Sequence, residues 1–174
     1  AACVTLLPRF DGMQHRLKDL LRPEHLVLNL EAQDAREALE RLVAPLVQTG
    51  HVEPAFAQDV WEREQVFPTG LPTQPLASAL PHADPEHVRQ TAVAIGTLKT
   101  PVRFGQMGTD GSVGLDVRVI ILLAIKEREK QVELIQQVVA LLQSPGLLEQ
   151  LAAAETPAQA LQALHQALGS SDAM

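Results

Sequence analysis

His82 is the residue of this chain whose neighbours best fit it for chemistry. It follows Pro81 and the apolar run Leu76 to Leu80. That run reads as a strand, and a residue just past a strand end lies at the sheet edge where α/β folds bind ligands. Imidazole is a good nucleophile near neutral pH, because an ordinary pKa of about 6.5 leaves much of it unprotonated. A lone histidine in such a loop is more often structural or exposed, so position alone does not assign a role. Asp84, Glu86 and His87 follow closely. The H-x4-H spacing of His82 and His87 does not match the helical H-E-x-x-H arrangement, whose histidines share one face. With no distant third ligand evident, no metal is expected. The plainer reading has Asp84-Pro85 opening one helical turn, with Glu86 and His87 in solvent.

Other candidates are weaker. Gly105, Gly108, Gly111 and Gly114 fit neither G-x-x-x-x-G-K-[ST] nor G-x-G-x-x-G, so they read as a hairpin-like turn segment rather than a nucleotide loop. Ser78 and Ser112 lack the G-x-S-x-G setting of an activated serine. Arg63-Glu64 would ordinarily be a solvated pair. It gains meaning only if the loop after it folds back beside His82.

Composition narrows the function classes. The chain has 174 residues, 46% hydrophobic and 20% charged, which fits one globular domain with a core of its own. A net charge of −7 argues against binding a bare phosphate backbone. Four Phe, one Trp and no Tyr leave little to stack single-stranded bases, so no nucleic-acid partner is expected. Cys3 is the only cysteine, so an intrachain disulfide is impossible and a reducing cytosol is expected. The longest apolar run, Val119 to Ile125, is far too short for a membrane span. Pro8, Arg9 and Asp11 interrupt any signal-like stretch. Residues 1–22 read as an N-terminal arm, 23–169 as the domain and 170–174 as a tail.

The elements that must position His82 are legible in outline. Residues 25–30 read as a strand. Asp34 and Glu37 have capping-box spacing, and Leu39, Leu42, Val43, Leu46 and Val47 share one helical face that stops at Gly50. Pro45 lies inside this pattern and predicts a kink or break. A second helix starts at Pro54, buries Phe56 and Val60, and ends before Pro68. Residues 67–73 read as a loop and 76–80, 91–98 and 117–125 as strands, the last buried on both faces. A helix over 129–142 should bury Val132, Ile135, Val138, Val139 and Leu142. Ser144-Pro145 and Thr156-Pro157 open two more helices, the last ending at Gly169. Strands 91–98 and 117–125 are joined without a helix, so a partly antiparallel sheet is expected. The fold class is therefore α/β: a three-layer sandwich, with a mixed parallel/antiparallel sheet and helices on both faces.

Taken together, Arg63-Glu64, Pro68-Thr69-Gly70-Leu71 and Leu80-Pro81-His82-Ala83 resemble the signature of enzyme IIA components of the phosphoenolpyruvate-dependent sugar phosphotransferase system, fructose/mannitol type. That branch carries R-E, T-G-[IL] and A-[IL]-P-H. The order and spacing of the segments through Pro101-Val102, Phe104, the strand to Ile125 and the next helix are similar too, so the resemblance spans about residues 24–168. It implies an α/β sandwich with a mixed sheet. It implies that His82 accepts a phosphoryl group from the phosphocarrier protein HPr and passes it to a cysteine of a IIB component. Arg63 would stabilise the phosphate, and Thr69 and Gly70 would shape the phosphate loop. The membrane component IIC would be an indirect partner, and the chain itself would not insert.

One position departs from the pattern. Many members carry a second histidine, in a His-Leu pair, at the start of the helix after the last strand. Gln131-Val132 stands there. This glutamine and Phe67-Pro68-Thr69-Gly70 resemble the galactitol-like subgroup. Gln131 can donate or accept a hydrogen bond but cannot titrate. Gln131 and His87 are the candidate assisting groups. Because the donor is itself a phosphohistidine, no metal, nucleotide or other cofactor is implied. Two alternatives stay open: a regulatory relative that uses the same phosphohistidine as a switch, and an inactive ligand-binding relative.

Overall fold

Residues 117–125 form the centre of the molecule because both faces of this strand are apolar. Ile120, Leu122 and Ala124 point to one side and Val119, Ile121, Leu123 and Ile125 to the other, all buried. Strict alternation with apolar residues on both sides requires cover on both faces. The computed structural model describes residues 16–172. Its elements are α1 (Leu17–Leu20), β1 (Leu26–Leu30), α2 (Ala35–Gln48), α3 (Phe56–Val66), β2 (Gly70–Leu71), β3 (Ala77–Ala79), β4 (Ala92–Gly105), β5 (Gly114–Ala124), α4 (Gln131–Leu142), α5 (Leu147–Ala153) and α6 (Pro157–Asp172).

The five strands lie in the order β1-β4-β5-β3-β2. β4 and β5 form a long antiparallel hairpin, while β1 pairs β4 and β3 pairs β5 in parallel. On one face, Leu39, Leu42 and Leu46 of α2 and Phe56 and Val60 of α3 pack against Ile120 and Leu122. On the other, α4, α5 and α6 supply Leu134, Val138, Leu148, Leu151 and Leu164 against Ile121 and Leu123. The mixed three-layer sandwich is therefore the observed fold. Among the described residues, no helix is long and apolar enough to cross a membrane.

The helix starts follow their caps. The Glu37 N–H donates to Asp34 Oδ1 at 2.9 Å, and the Gln33 N–H donates to Glu37 Oε2 at 3.2 Å. The Gln159 N–H donates to Thr156 Oγ1 at 3.2 Å, closing the cap that Thr156-Pro157 predicts.

Several details differ from the sequence reading. Pro45 breaks nothing: α2 runs on to Gln48. The proline sits in the last turn, and the carbonyl it leaves without an intrahelical donor belongs to exposed Arg41, where water can serve it. Val132 is 65% exposed, because the phase of α4 turns Leu134, Val138 and Leu141 inward instead. α5 starts at Leu147 after Gly146, whose φ of 77° ends a tight turn over Ser144-Pro145. α6 passes through exposed Gly169 to Asp172; a glycine lowers helix propensity but does not force an exit. β4 is longer than expected and crosses Pro101 at a register shift between Thr97 and Val102, where a missing N–H disturbs no ladder. Residues 70–71 pair as a strand inside the expected loop. The end of the expected arm is docked: Leu17 is buried, and its N–H donates to Gln137 Oε1 on α4 at 2.9 Å. Residues 1–15, Cys3 among them, and 173–174 lie outside the described residues.

Candidate functional site

The approach of Pro68 ends α3, and the chain turns so that the last helical turn faces the following loop. Arg63 and Glu64 sit in that turn. Glu64 is buried, at 6% exposure, and its carboxylate accepts two bonds from one residue. The Thr69 N–H donates to Oε2 and the Thr69 hydroxyl to Oε1, each at 2.7 Å. The Leu80 N–H donates in turn to Thr69, reaching its carbonyl at 3.3 Å and its hydroxyl oxygen at 3.2 Å. The Leu80 carbonyl then meets Nδ1 of His82 at 2.8 Å. An unbroken chain of hydrogen bonds thus runs from the end of α3 to the His82 ring. The loop after Arg63-Glu64 does fold back beside His82.

The last of these bonds decides the chemistry of the ring. A carbonyl oxygen can only accept, so Nδ1 must carry the proton. A neutral ring then holds its lone pair on Nε2. His82 is 8% exposed, and burial, the largest influence, pushes its pKa below the ordinary 6.5. The Leu80 bond and Asp84 act the other way, while Arg63 adds to the lowering. The ring is therefore neutral near pH 7, with one nitrogen available as nucleophile. Its backbone is fixed as well: the Leu123 N–H donates to the Pro81 carbonyl at 3.0 Å, and His82 bridges Leu123 of β5.

Glu64 is the group that spacing did not single out. Burial raises its pKa from 4.5 to about 7, against the opposing pull of the two Thr69 donors. Its signal was the R-E pair, read as solvated. A helix-end carboxylate followed five residues later by Thr-Gly was the clue that it turned inward.

Arg63 lines an open pocket of about 320 Å³ beside Ala83 and Asp84. Its guanidinium lies over the Phe67 ring, 5.2 Å from the centroid. Its contact with a carboxylate, Nη1 to Asp84 Oδ1, is a loose 3.9 Å, and its buried Nε has no hydrogen-bond partner. A second cation, Arg128, reaches the same Asp84 oxygen at 3.6 Å. A buried N–H without a partner is costly to keep. Here it belongs to a cation at a pocket beside the His82 loop, and a guanidinium with a spare donor is a group that binds oxyanions.

Thr69 and Gly70 shape the loop in different ways. Thr69 directs both its N–H and its hydroxyl at Glu64, so these donors are not turned outward. Gly70 packs backbone against the hairpin end: a Cβ there would stand 2.5 Å from the Gly105 carbonyl oxygen. The Met107 N–H donates to the Gly70 carbonyl at 2.8 Å. Gln131 opens α4 three residues after Arg128, and the His82 ring bonds Leu80 rather than Gln131. His87 is not simply solvated: Nδ1 bonds Asp59 Oδ2 of α3. That bond is the first cause of a raised His87 pKa. Among the described residues, no group of His, Cys, Asp and Glu is arranged to hold a metal ion.

Comparison with known proteins gives this geometry a lineage. Residues 19–167 match the family model described as phosphoenolpyruvate-dependent sugar phosphotransferase system, EIIA 2. The galactitol-specific EIIA component of Escherichia coli (strain K12) is 28% identical over 118 residues, 68% of this chain and 77% of that protein. The transcriptional regulator ManR of Bacillus subtilis (strain 168) is 26% identical over 131 residues, 74% of this chain and 18% of the regulator. Among solved structures, the mannitol enzyme IIA of Escherichia coli, determined in complex with phosphorylated mannitol enzyme IIB, superposes with a TM-score of 0.70 at 26% identity, covering 84% of this chain and 97% of that one. A match over most of the chain, with the same sandwich underneath, shows the descent: this chain belongs to the EIIA 2 family of the phosphoenolpyruvate-dependent sugar phosphotransferase system.

Proposed function

We propose that Nε2 of His82 is the atom through which this phosphotransferase component carries its phosphoryl group. The observation that carries the reading is the Leu80 carbonyl on Nδ1, which leaves Nε2 as the nucleophilic nitrogen. The donor is the phosphohistidine of HPr. As the donor P–N bond breaks, the Nε2 lone pair forms a new P–N bond. The proton stays on Nδ1, and the ring becomes a phosphoimidazolium whose positive charge is stabilised by the Leu80 carbonyl. Arg63 brings its guanidinium charge, at the edge of the open pocket, to the phosphoryl oxygens, where positioning and charge stabilisation supply most of the catalysis. In the second half-reaction a IIB cysteine thiolate attacks phosphorus, and the electron pair of the broken bond returns to Nε2. Neither step needs a metal or nucleotide in the transfer itself.

The same region suits alternating partners. Val66 and Phe67 are 66% and 60% exposed beside the Arg63 pocket, and Met107 and Val113 are exposed at the hairpin end packed on the 68–70 loop. Apolar side chains around a partly buried nucleophile give a docking protein something to cover. The sugar assigned to the pathway is galactitol or a close relative, on the likeness to the galactitol-specific component and on Gln131 in place of a second histidine.

The test is phosphorylation by phosphoenolpyruvate, enzyme I and HPr, then transfer to a galactitol-type IIB. His82 should carry an acid-labile, alkali-stable phosphoramidate. His82→Gln should abolish the label with the fold intact. Arg63→Gln should keep some label and slow transfer. Undiminished label in His82→Gln, or phosphate on His87, overturns the assignment. A second reading, a phosphohistidine switch in regulation, is favoured by the match to ManR; it predicts normal labelling without transfer to any IIB protein.

A further inference from the structure

The pocket beside Arg63 is a poor place for a phosphoryl dianion unless its carboxylates are held. Asp59, Glu62, Asp84 and Glu86 all line it, with Arg63 as its one cation among the lining residues. Two of the four have cationic partners from outside: Arg128 reaches Asp84, and His87 bonds Asp59. Glu62 accepts from the Gln58 side-chain amide at 3.0 Å.

Asp59 matters most, because it stands one turn before Arg63 on α3. An acidic residue four positions ahead of a basic one is the favourable arrangement for an ion pair along a helix. Left alone, Asp59 would be the natural partner of the Arg63 guanidinium. In the structure its Oδ2 faces His87 instead, and the Arg63 Nε keeps no partner at all. The His87 backbone does not depend on its ring for its place: its carbonyl accepts the Glu53 N–H at 2.9 Å, and Val88 bridges Val52. The ring is thus free to serve Asp59.

We infer that His87 is a positioning residue which, by holding Asp59, keeps the Arg63 guanidinium open to the phosphoryl group on His82. The inference rests on the His82 reading above. It gives His87 a part in transfer without contact to the phosphate, and it makes that part depend on charge. Neutral His87 still donates from Nδ1, but it no longer balances the Asp59 charge, and Asp59 then competes for Arg63. The charged groups that act on His87 are Asp59 on α3, Glu53 before α3 and Glu86 on its own loop; Arg89 pairs with Glu53, and Glu62, Arg63 and Asp84 line the adjoining pocket with Asp59 and Glu86. Asp59, Glu53 and Glu86 all favour the charged ring, so its proton is retained above the ordinary 6.5.

The experiment is single-turnover transfer from phosphorylated HPr, followed from pH 6 to pH 9 in wild type and variants. Wild-type transfer should decline on the alkaline side as His87 loses its proton, and His87→Gln should be slowed roughly fivefold at pH 6, the upper end of what one exposed ion pair contributes, with no such decline. Adding Asp59→Asn to that variant should restore the acid-side rate. His87→Arg, a permanent cation, should keep the wild-type rate and also lose that decline. A His87→Gln rate equal to wild type at every pH, or no restoration by Asp59→Asn, refutes the role of His87. Absence of label at His82 in the wild-type chain refutes the reading of the site itself, so the two failures are distinct.

Discussion

Replacing Glu64 by Gln tests the buried network on which the His82 ring depends. Glu64 accepts both donors of Thr69 at 2.7 Å in a buried setting, and burial raises its pKa from 4.5 to about 7. The sign follows from proton counting. Between 4.5 and about 7 the folded chain holds the Glu64 proton and the unfolded chain has lost it. Stability therefore falls as pH rises through that window. At about 1.4 kcal/mol per pH unit the whole window is worth roughly 3 kcal/mol, most of it between pH 5 and pH 8. Glutamine cannot titrate. Its carbonyl can accept the Thr69 N–H, and its amide stands where the protonated carboxyl has its O–H, with the Thr69 hydroxyl able to accept, so Glu64→Gln loses no more than about 1 kcal/mol at pH 5. By pH 8 the wild type has lost more than that, and the variant should be the more stable by about 1–2 kcal/mol. Urea unfolding of both proteins at pH 5, 6, 7 and 8 reads the difference directly, since titrations elsewhere cancel. A wild-type-minus-variant difference that does not change with pH would falsify the account of Glu64 as a carboxylate made costly by burial.

Other outcomes follow from the same contacts. Gly70→Ala drives a Cβ to within 2.5 Å of the Gly105 carbonyl oxygen and should cost about 1–3 kcal/mol in thermal unfolding while slowing transfer; an unchanged melting temperature would show that the hairpin end moves freely. The His82 ring should appear by nitrogen NMR as the Nδ1–H tautomer with a midpoint below 6.5, so that titration of His82 itself lowers phosphoryl acceptance on the acid side; an Nε2–H ring would contradict the proposed nucleophile. Gln131→His should leave transfer nearly intact and add a pH dependence between about 5 and 8. If Gln131→Ala changes neither half-reaction, the position has no part in the site.

Local order was legible in the chain because it depends on near neighbours. Asp34 with Glu37 and Thr156 with Gln159 set helix starts through side chains three residues apart, and the structure has both bonds. Val117 to Ile125, apolar at every position but Arg118, required a strand covered on two sides. Pro81-His82 at a strand end marked the one histidine with a nucleophile's setting. What depends on distant partners was not legible. His87 and Asp59 are 28 residues apart, and Thr69 and Leu80 are 11 apart. Only the strand order β1-β4-β5-β3-β2 brings the end of α3 and the end of β3 to the same sheet edge. Glu64, which looked like one half of a solvated pair, became a buried acceptor because the loop after α3 turned back onto it. The proposed choice of Nε2 over Nδ1 as nucleophile rests on one carbonyl, Leu80, whose residue is held by the bond of its N–H to Thr69. Side-chain spacing encodes periodicity and caps. The direction in which a carbonyl or carboxylate points is settled only when the sheet is assembled.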